Sequence, residues 1–160
     1  MVICFAEPET QSALDLAGAL SDELAMGRIE KLTRGEQTVD RTILIVDDSL
    51  TMLTNIRLTL ESNGYKTAQA RDGVEALATA KTLGRVDAVL TDLNMPNMDG
   101  IRLIQELRSL AAFRFTPIIM LTTESQADKK EQGRRAGATG WIVKPFQPEQ
   151  LLAVLKKVIK

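Results

Sequence analysis

From Arg41 onward, short runs rich in Val and Ile alternate with stretches whose apolar residues recur every three or four positions. No other feature restricts the fold of this chain as much. The apolar runs cover residues 42–46, 88–90, 117–121 and 141–143, with a weaker one at 66–70. Runs this short, bounded by turn residues, read as strands buried on both faces. Between them Met52, Ile56 and Leu60 share one helical face, as do Leu103, Leu107 and Leu110, and later Leu151, Leu155 and Val158. Asn63-Gly64 and Gly84 end helices, and Pro117 opens a strand. A β-α unit therefore repeats five times over residues 41–160.

Strands that alternate with helices imply parallel pairing, right-handed crossovers and a sheet covered on both sides. The expected fold is α/β, with a five-stranded parallel sheet. Its strand order, 2-1-3-4-5, is borrowed from known doubly wound sheets of this size rather than deduced from the residues. In that order a ligand sits beyond the carboxyl ends, at the switch point between strands 1 and 3. Whatever follows those two strands should be functional.

Composition excludes several classes of function. The 160 residues carry a formal net charge of -1, which gives no basis for nucleic-acid binding. There is no histidine, so His-based acid–base chemistry and His metal sites are ruled out. The single cysteine, Cys4, cannot form an internal disulfide and suits a reducing compartment. No apolar stretch approaches the roughly 18 residues of a membrane span. The opening MVICFAEPET lacks a basic leader, so no signal peptide is expected and the placement is cytoplasmic.

Four strand ends carry notable residues. Asp47-Asp48-Ser49 follow strand 1, Asp92 follows strand 3, Thr122-Thr123-Glu124 follow strand 4, and Lys144-Pro145-Phe146 follow strand 5. Taken singly each has an ordinary explanation. Asp48 or Ser49 can cap a helix, Asp92 can form a turn, and Lys144-Pro145 can be a solvated loop. Together they bring three carboxylates, a hydroxyl and an ammonium to one sheet edge. Two carboxylates about 4 Å apart repel by roughly 4 kcal/mol at an effective dielectric near 20, so three of them call for a cation. Oxygen ligands alone favour a hard ion such as Mg²⁺. Asp92 on the central strand is then the natural nucleophile for a phosphoryl group, Asp47 and Asp48 hold the metal, and Lys144 and Thr122 neutralise or hydrogen-bond phosphoryl oxygens.

The segments ILIVDDS (43–49), TDLNMPNMDG (91–100), IIMLTTE (118–124) and GATGWIVKPF (137–146) resemble the receiver domain of two-component response regulators, and within it the CheY-like chemotaxis regulators. The resemblance covers nearly all of residues 41–160 and implies the flavodoxin-like, CheY-like (βα)5 fold. It implies Asp92 as phosphoacceptor, Asp47 and Asp48 as the acidic pair on Mg²⁺, and the Asn94 backbone carbonyl as a further metal ligand. It also implies Thr122 and Lys144 as switch hydroxyl and phosphate-pairing lysine, a cis Lys144-Pro145 peptide, and Asn94 and Glu124 as residues tuning dephosphorylation. Trp141 stands where the family carries a switch aromatic, usually Tyr or Phe, on a face made by helix 4, strand 5 and helix 5. That face also carries Lys129, Lys130, Arg134 and Arg135, which suit either solvent or an acidic partner segment.

The implied partners are a histidine kinase as phosphodonor and the flagellar motor switch or another output protein. A phosphatase is a further candidate, and neither nucleic acid nor membrane insertion is expected. Because the sequence stops after helix 5, signalling should pass by non-covalent contact. Residues 1–40 lie outside the resemblance and read as a partly helical extension, with Ala13, Ala17, Leu20 and Leu24 on one face and a polar linker at 35–40. Three rivals stand beside the chemotaxis reading. The first is an aspartate-nucleophile phosphatase of the haloacid-dehalogenase type, but its DxD triplet is here Asp92-Leu93-Asn94. The second is a flavin binder, but Asp47-Asp48 would repel phosphate. The third is a single-domain receiver in a phosphorelay or cell-cycle pathway.

Overall fold

The computed structural model describes residues 40–160. The helix expected within residues 1–40 falls outside the described residues. Strands β1 (Thr42–Val46), β2 (Lys66–Ala70), β3 (Ala88–Thr91), β4 (Ile118–Thr122) and β5 (Gly140–Val143) alternate with helices α1 (Leu50–Glu61), α2 (Gly73–Leu83), α3 (Gly100–Ser109), α4 (Ala127–Ala136) and α5 (Pro148–Val158). A 3₁₀ turn, Ala111–Phe113, follows α3. The strands form one sheet in the order β2-β1-β3-β4-β5, and every pairing is parallel. The predicted topology holds, with strand ends displaced by one residue at most.

The sheet separates two apolar layers. Successive strand side chains point to opposite faces, so Leu44 and Val46 pack with Leu103, Leu107 and Phe113, while Ile43 and Ile45 pack with Leu53, Ile56, Leu60, Leu151 and Leu155. Only the three central strands are buried on both faces as expected. The edge strands β2 and β5 are partly exposed, because each has a neighbour on one side only. That is why residues 66–70 read as the weakest run.

One polar device had no sequence signature. The Arg108 guanidinium, near the end of α3, donates to the carbonyls of Phe113 (2.6 Å), Thr116 (2.7 Å), Arg114 (3.3 Å) and Gly137 (2.7 Å from Nη2). It has no carboxylate partner among the described residues, and burial pulls its pKa down. The side chain ties α3 to the loop before β4 and to the end of α4. Arg108→Met should strand these carbonyls and destabilise the domain by about 3 kcal/mol in urea unfolding. A change below about 0.5 kcal/mol would show that the clamp contributes nothing.

Candidate functional site

The carboxyl ends of β1 and β3 lie side by side, joined by the Asp92 N–H donating to the Val46 carbonyl (2.9 Å). The chain leaves β1 through Asp47, which is almost fully buried at 2 % exposure, and then turns outward at Asp48. Asp47 Oδ1 accepts from the Ser49 N–H (2.9 Å), which fixes the carboxylate and starts the turn into α1. Ser49, not Asp48, caps α1, with its hydroxyl accepting from Met52 N–H at 3.4 Å. Asp48 is thereby free to face the cleft.

From the carboxyl end of β5 Lys144 reaches across to the buried Asp47 and the partly buried Asp92. Its Nζ lies 2.5 Å from Asp47 Oδ2 and 3.5 Å from Asp92 Oδ2. Asp92 Oδ1 accepts from Leu93 N–H at 2.7 Å. Oxygens of Asp47, Asp48 and Asp92 all fall within 4.8 Å of one another. Three carboxylates against one ammonium leave a formal surplus of two negative charges, which a divalent cation balances. An all-oxygen, doubly negative cluster fits Mg²⁺ and offers no soft ligand to a transition metal.

The electrostatics follow from burial. Desolvation pushes the Asp92 carboxyl above its ordinary value, the Lys144 charge opposes this, and the Asp47 charge adds to it. An acid so placed gains from any cation that approaches it.

The backbone after Asp92 is held by close approach. Gly100 N–H donates to the Leu93 carbonyl (2.8 Å), and a Cβ on Gly100 would come within 2.2 Å of the Asp92 carbonyl oxygen. No other residue fits there. Asp99 caps α3 by accepting from Arg102 N–H (2.8 Å). The Asp-Gly pair that closes TDLNMPNMDG therefore shapes the loop carrying Asp92, a role that the sequence reading left unassigned.

The remaining expected residues lie on β4 and β5 or in the loops that follow β3, β4 and β5. Thr122 ends β4 fully buried, its carbonyl accepting from Lys144 N–H (2.9 Å) and its hydroxyl accepting from Glu124 N–H (3.1 Å). Glu124 turns its carboxylate to the Gln126 N–H (3.0 Å) at the start of α4. Asn94 is exposed two residues beyond Asp92. The Lys144-Pro145 peptide is cis, as expected. Trp141 lies on β5 at the α4 side, half-buried and packed on the layer that contains Met120. No described helix is long and apolar enough to cross a membrane.

Comparison with known proteins agrees with this geometry. Residues 43–156 match the model of the response regulator receiver domain. The chain is 39% identical over 118 residues to the chemotaxis protein CheY1 of Helicobacter pylori, covering 73% of this chain and 95% of that protein. The structure of chemotaxis protein CheY4 of Vibrio cholerae superposes with a TM-score of 0.72 at 44% identity, covering 75% of this chain and 99% of that one. The receiver domain of the sensor histidine kinase PA1611 of Pseudomonas aeruginosa PAO1, solved with a magnesium ion coordinated in its active-site cleft, superposes at 0.69 with 32% identity, covering 74% and 97%. Transcriptional regulators also match, and the chain spans about half their length.

Proposed function

Because this chain belongs to the response regulator receiver domain family, we propose that it is a phosphorylatable switch which takes a phosphoryl group from a histidine kinase onto Asp92. A carboxylate oxygen of Asp92 bonds to phosphorus as the P–N bond to the donor imidazole breaks, leaving the electron pair on that nitrogen. Asp47, Asp48, Asp92 and the Asn94 carbonyl would hold Mg²⁺, which when bound neutralises charge on the phosphoryl oxygens. Lys144 and Thr122 take phosphoryl oxygens that face away from the acids. Glu124 and Asn94 flank the approach of water and so set the lifetime of the acyl phosphate. Residues 41–160 carry this function, and residues 1–40 are an extension to it.

The observation that best supports this reading is Lys144, one ammonium against two acids at the switch point between β1 and β3. The deciding experiment incubates the protein with Mg²⁺ and labelled acetyl phosphate. One acid-stable, base-labile label per chain, located on Asp92 after borohydride reduction, is the expected result. Continuous release of phosphate from simple phosphate esters, without such a label, would make the protein a phosphatase instead.

The output is proposed to pass through the face of α4, β5 and α5 to a flagellar motor switch protein in a cytoplasmic chemotaxis pathway, with a dedicated phosphatase as a further partner. Similarity along 95% of CheY1 and 99% of CheY4 supports a chemotaxis switch of that kind. A phosphorelay role is the second reading, favoured by the likeness to receiver domains of sensor histidine kinases. Capture by a motor-switch peptide that depends on beryllofluoride separates the two.

Asp47→Ala should weaken Mg²⁺ binding by at least the 10- to 100-fold that loss of even an indirect partner costs a metal site. Calorimetric titration measures it. Unchanged affinity would move the metal away from Asp47.

A further inference from the structure

Glycine in the middle of a helix is unfavourable, since it orders a freer backbone and contributes no side chain. Gly133 nevertheless stands inside α4, and it is the one buried residue of that helix. A Cβ placed on it would lie 2.7 Å from Met120 Sδ and 3.1 Å from Trp141 Cζ3, with Cε3 at 3.6 Å. The missing side chain is thus the space into which the benzo edge of the indole fits. Met120 is fully buried and closes the bottom of that space.

The indole is not fully satisfied in this seat. Trp141 Nε1 is buried and has no hydrogen-bond partner among the described residues. Water would supply one if the ring swung out, so packing holds it in while polar solvation draws it out. There is room for the movement. A cavity of about 220 Å³, lined by Lys130, Arg134, Ala138, Thr139, Gly140 and Trp141, opens on the same side. A smaller aromatic without an N–H group would feel neither the steric demand nor the penalty.

We propose that Gly133 is a positioning residue matched to Trp141: its missing side chain makes the inner seat of the indole, and the unpartnered N–H keeps that seat only marginally preferred. The pair sets the balance between inward and outward Trp141 before any phosphoryl group arrives. Its consequence for signalling rests on the function proposed above. The seat itself does not, because nothing in it involves Asp92.

Trp141 is the only tryptophan, so its emission reports on this side chain alone. Gly133→Ala should push the ring outward. Its emission should shift to the red, and its Stern–Volmer quenching by acrylamide should rise about twofold or more, in metal-free protein and without phosphodonor. Unchanged emission and quenching would overturn the proposal. A double-mutant cycle keeps the test independent of simple loss of structure. On the Trp141→Phe background the Met120 thioether still lies 2.7 Å from the new methyl and must shift, so Gly133→Ala should raise the folding equilibrium constant by less than the roughly fivefold helix preference of Ala over Gly. With Trp141 present that gain should vanish or reverse. An equal gain on both backgrounds would show that Gly133 and the indole are unrelated. Labelling of Asp92 by acetyl phosphate, run in parallel on Gly133→Ala, should persist. A failure there would concern the phosphoryl chemistry and leave the seat standing on its fluorescence.

Discussion

Asp92→Asn should reduce Mg²⁺-dependent labelling by acetyl phosphate or a phosphohistidine donor by on the order of 10³-fold or more, the scale seen when a nucleophile is removed. The amide has the shape of the carboxylate and can still accept from Leu93 N–H, but its oxygen does not attack phosphorus. The loss should come without unfolding. In metal-free protein the variant should even be the more stable of the two. Folding raises the Asp92 pKa, chiefly by burial, so the folded state binds the proton more tightly than the unfolded chain does. Wild-type stability therefore falls as pH rises from the ordinary aspartate range, near 3.9, through the raised folded value, and stays lower above it. An uncharged Asn escapes that penalty. The variant should melt a few degrees higher than wild type near neutral pH in EDTA, and the difference should close below about pH 4. Mg²⁺ should then stabilise wild type more than the variant, because it binds the folded form and uses the charge that Asn lacks. Retained labelling of Asp92→Asn would place the acceptor elsewhere. Lower stability at neutral pH in EDTA would contradict the stated charge balance.

The parts of this molecule that were legible in the sequence are those with local or periodic signatures. Central parallel strands are buried on both faces, so Ile43–Val46 and Ile118–Leu121 appear as uninterrupted apolar runs. Residues that follow such runs fall at one edge of the sheet, and this alone brought Asp47, Asp48, Asp92, Thr122 and Lys144 into consideration together. The strand order that unites them came from known sheets, since residue patterns do not say which strands are neighbours. Arg108 was missed because its partners are backbone carbonyls in two separate segments, and carbonyls carry no residue identity. Gly133 was missed because a glycine in a charged helix looks like a weak point, and only the Trp141 ring beside it shows a use for the gap. The two acids of Asp47-Asp48 also read as equivalent. Distinguishing the buried member from the exposed one needs the turn that Ser49 starts.

Lys144→Met should separate the chemistry of the site from its signal. The methionine keeps the apolar stem of the side chain and removes only the ammonium. Without metal, Asp47 is then a nearly buried carboxylate that has lost its cation, with Asp92 close by. Removing one partner from a buried pair costs about 3 kcal/mol, and denaturation in EDTA should show a loss of that size. Mg²⁺ should recover most of it. An ammonium at these distances competes with a cation for the same oxygens, so its removal should raise Mg²⁺ affinity about tenfold or more, given charge interactions of a few kcal/mol near 4 Å. Labelling of Asp92 should survive at a reduced rate, since the proposed nucleophile and metal ligands remain. The signal should not survive. In the function proposed above, Lys144 is the group by which a phosphoryl oxygen pulls on the end of β5, where the Lys144 N–H is anchored to the Thr122 carbonyl three residues from Trp141. Trp141 emission should respond to beryllofluoride in wild type and should be silent in Lys144→Met even when the site is fully loaded. A normal fluorescence response in the loaded variant would show that the switch reaches Trp141 by a route that bypasses this lysine, with Thr122 as the remaining connection.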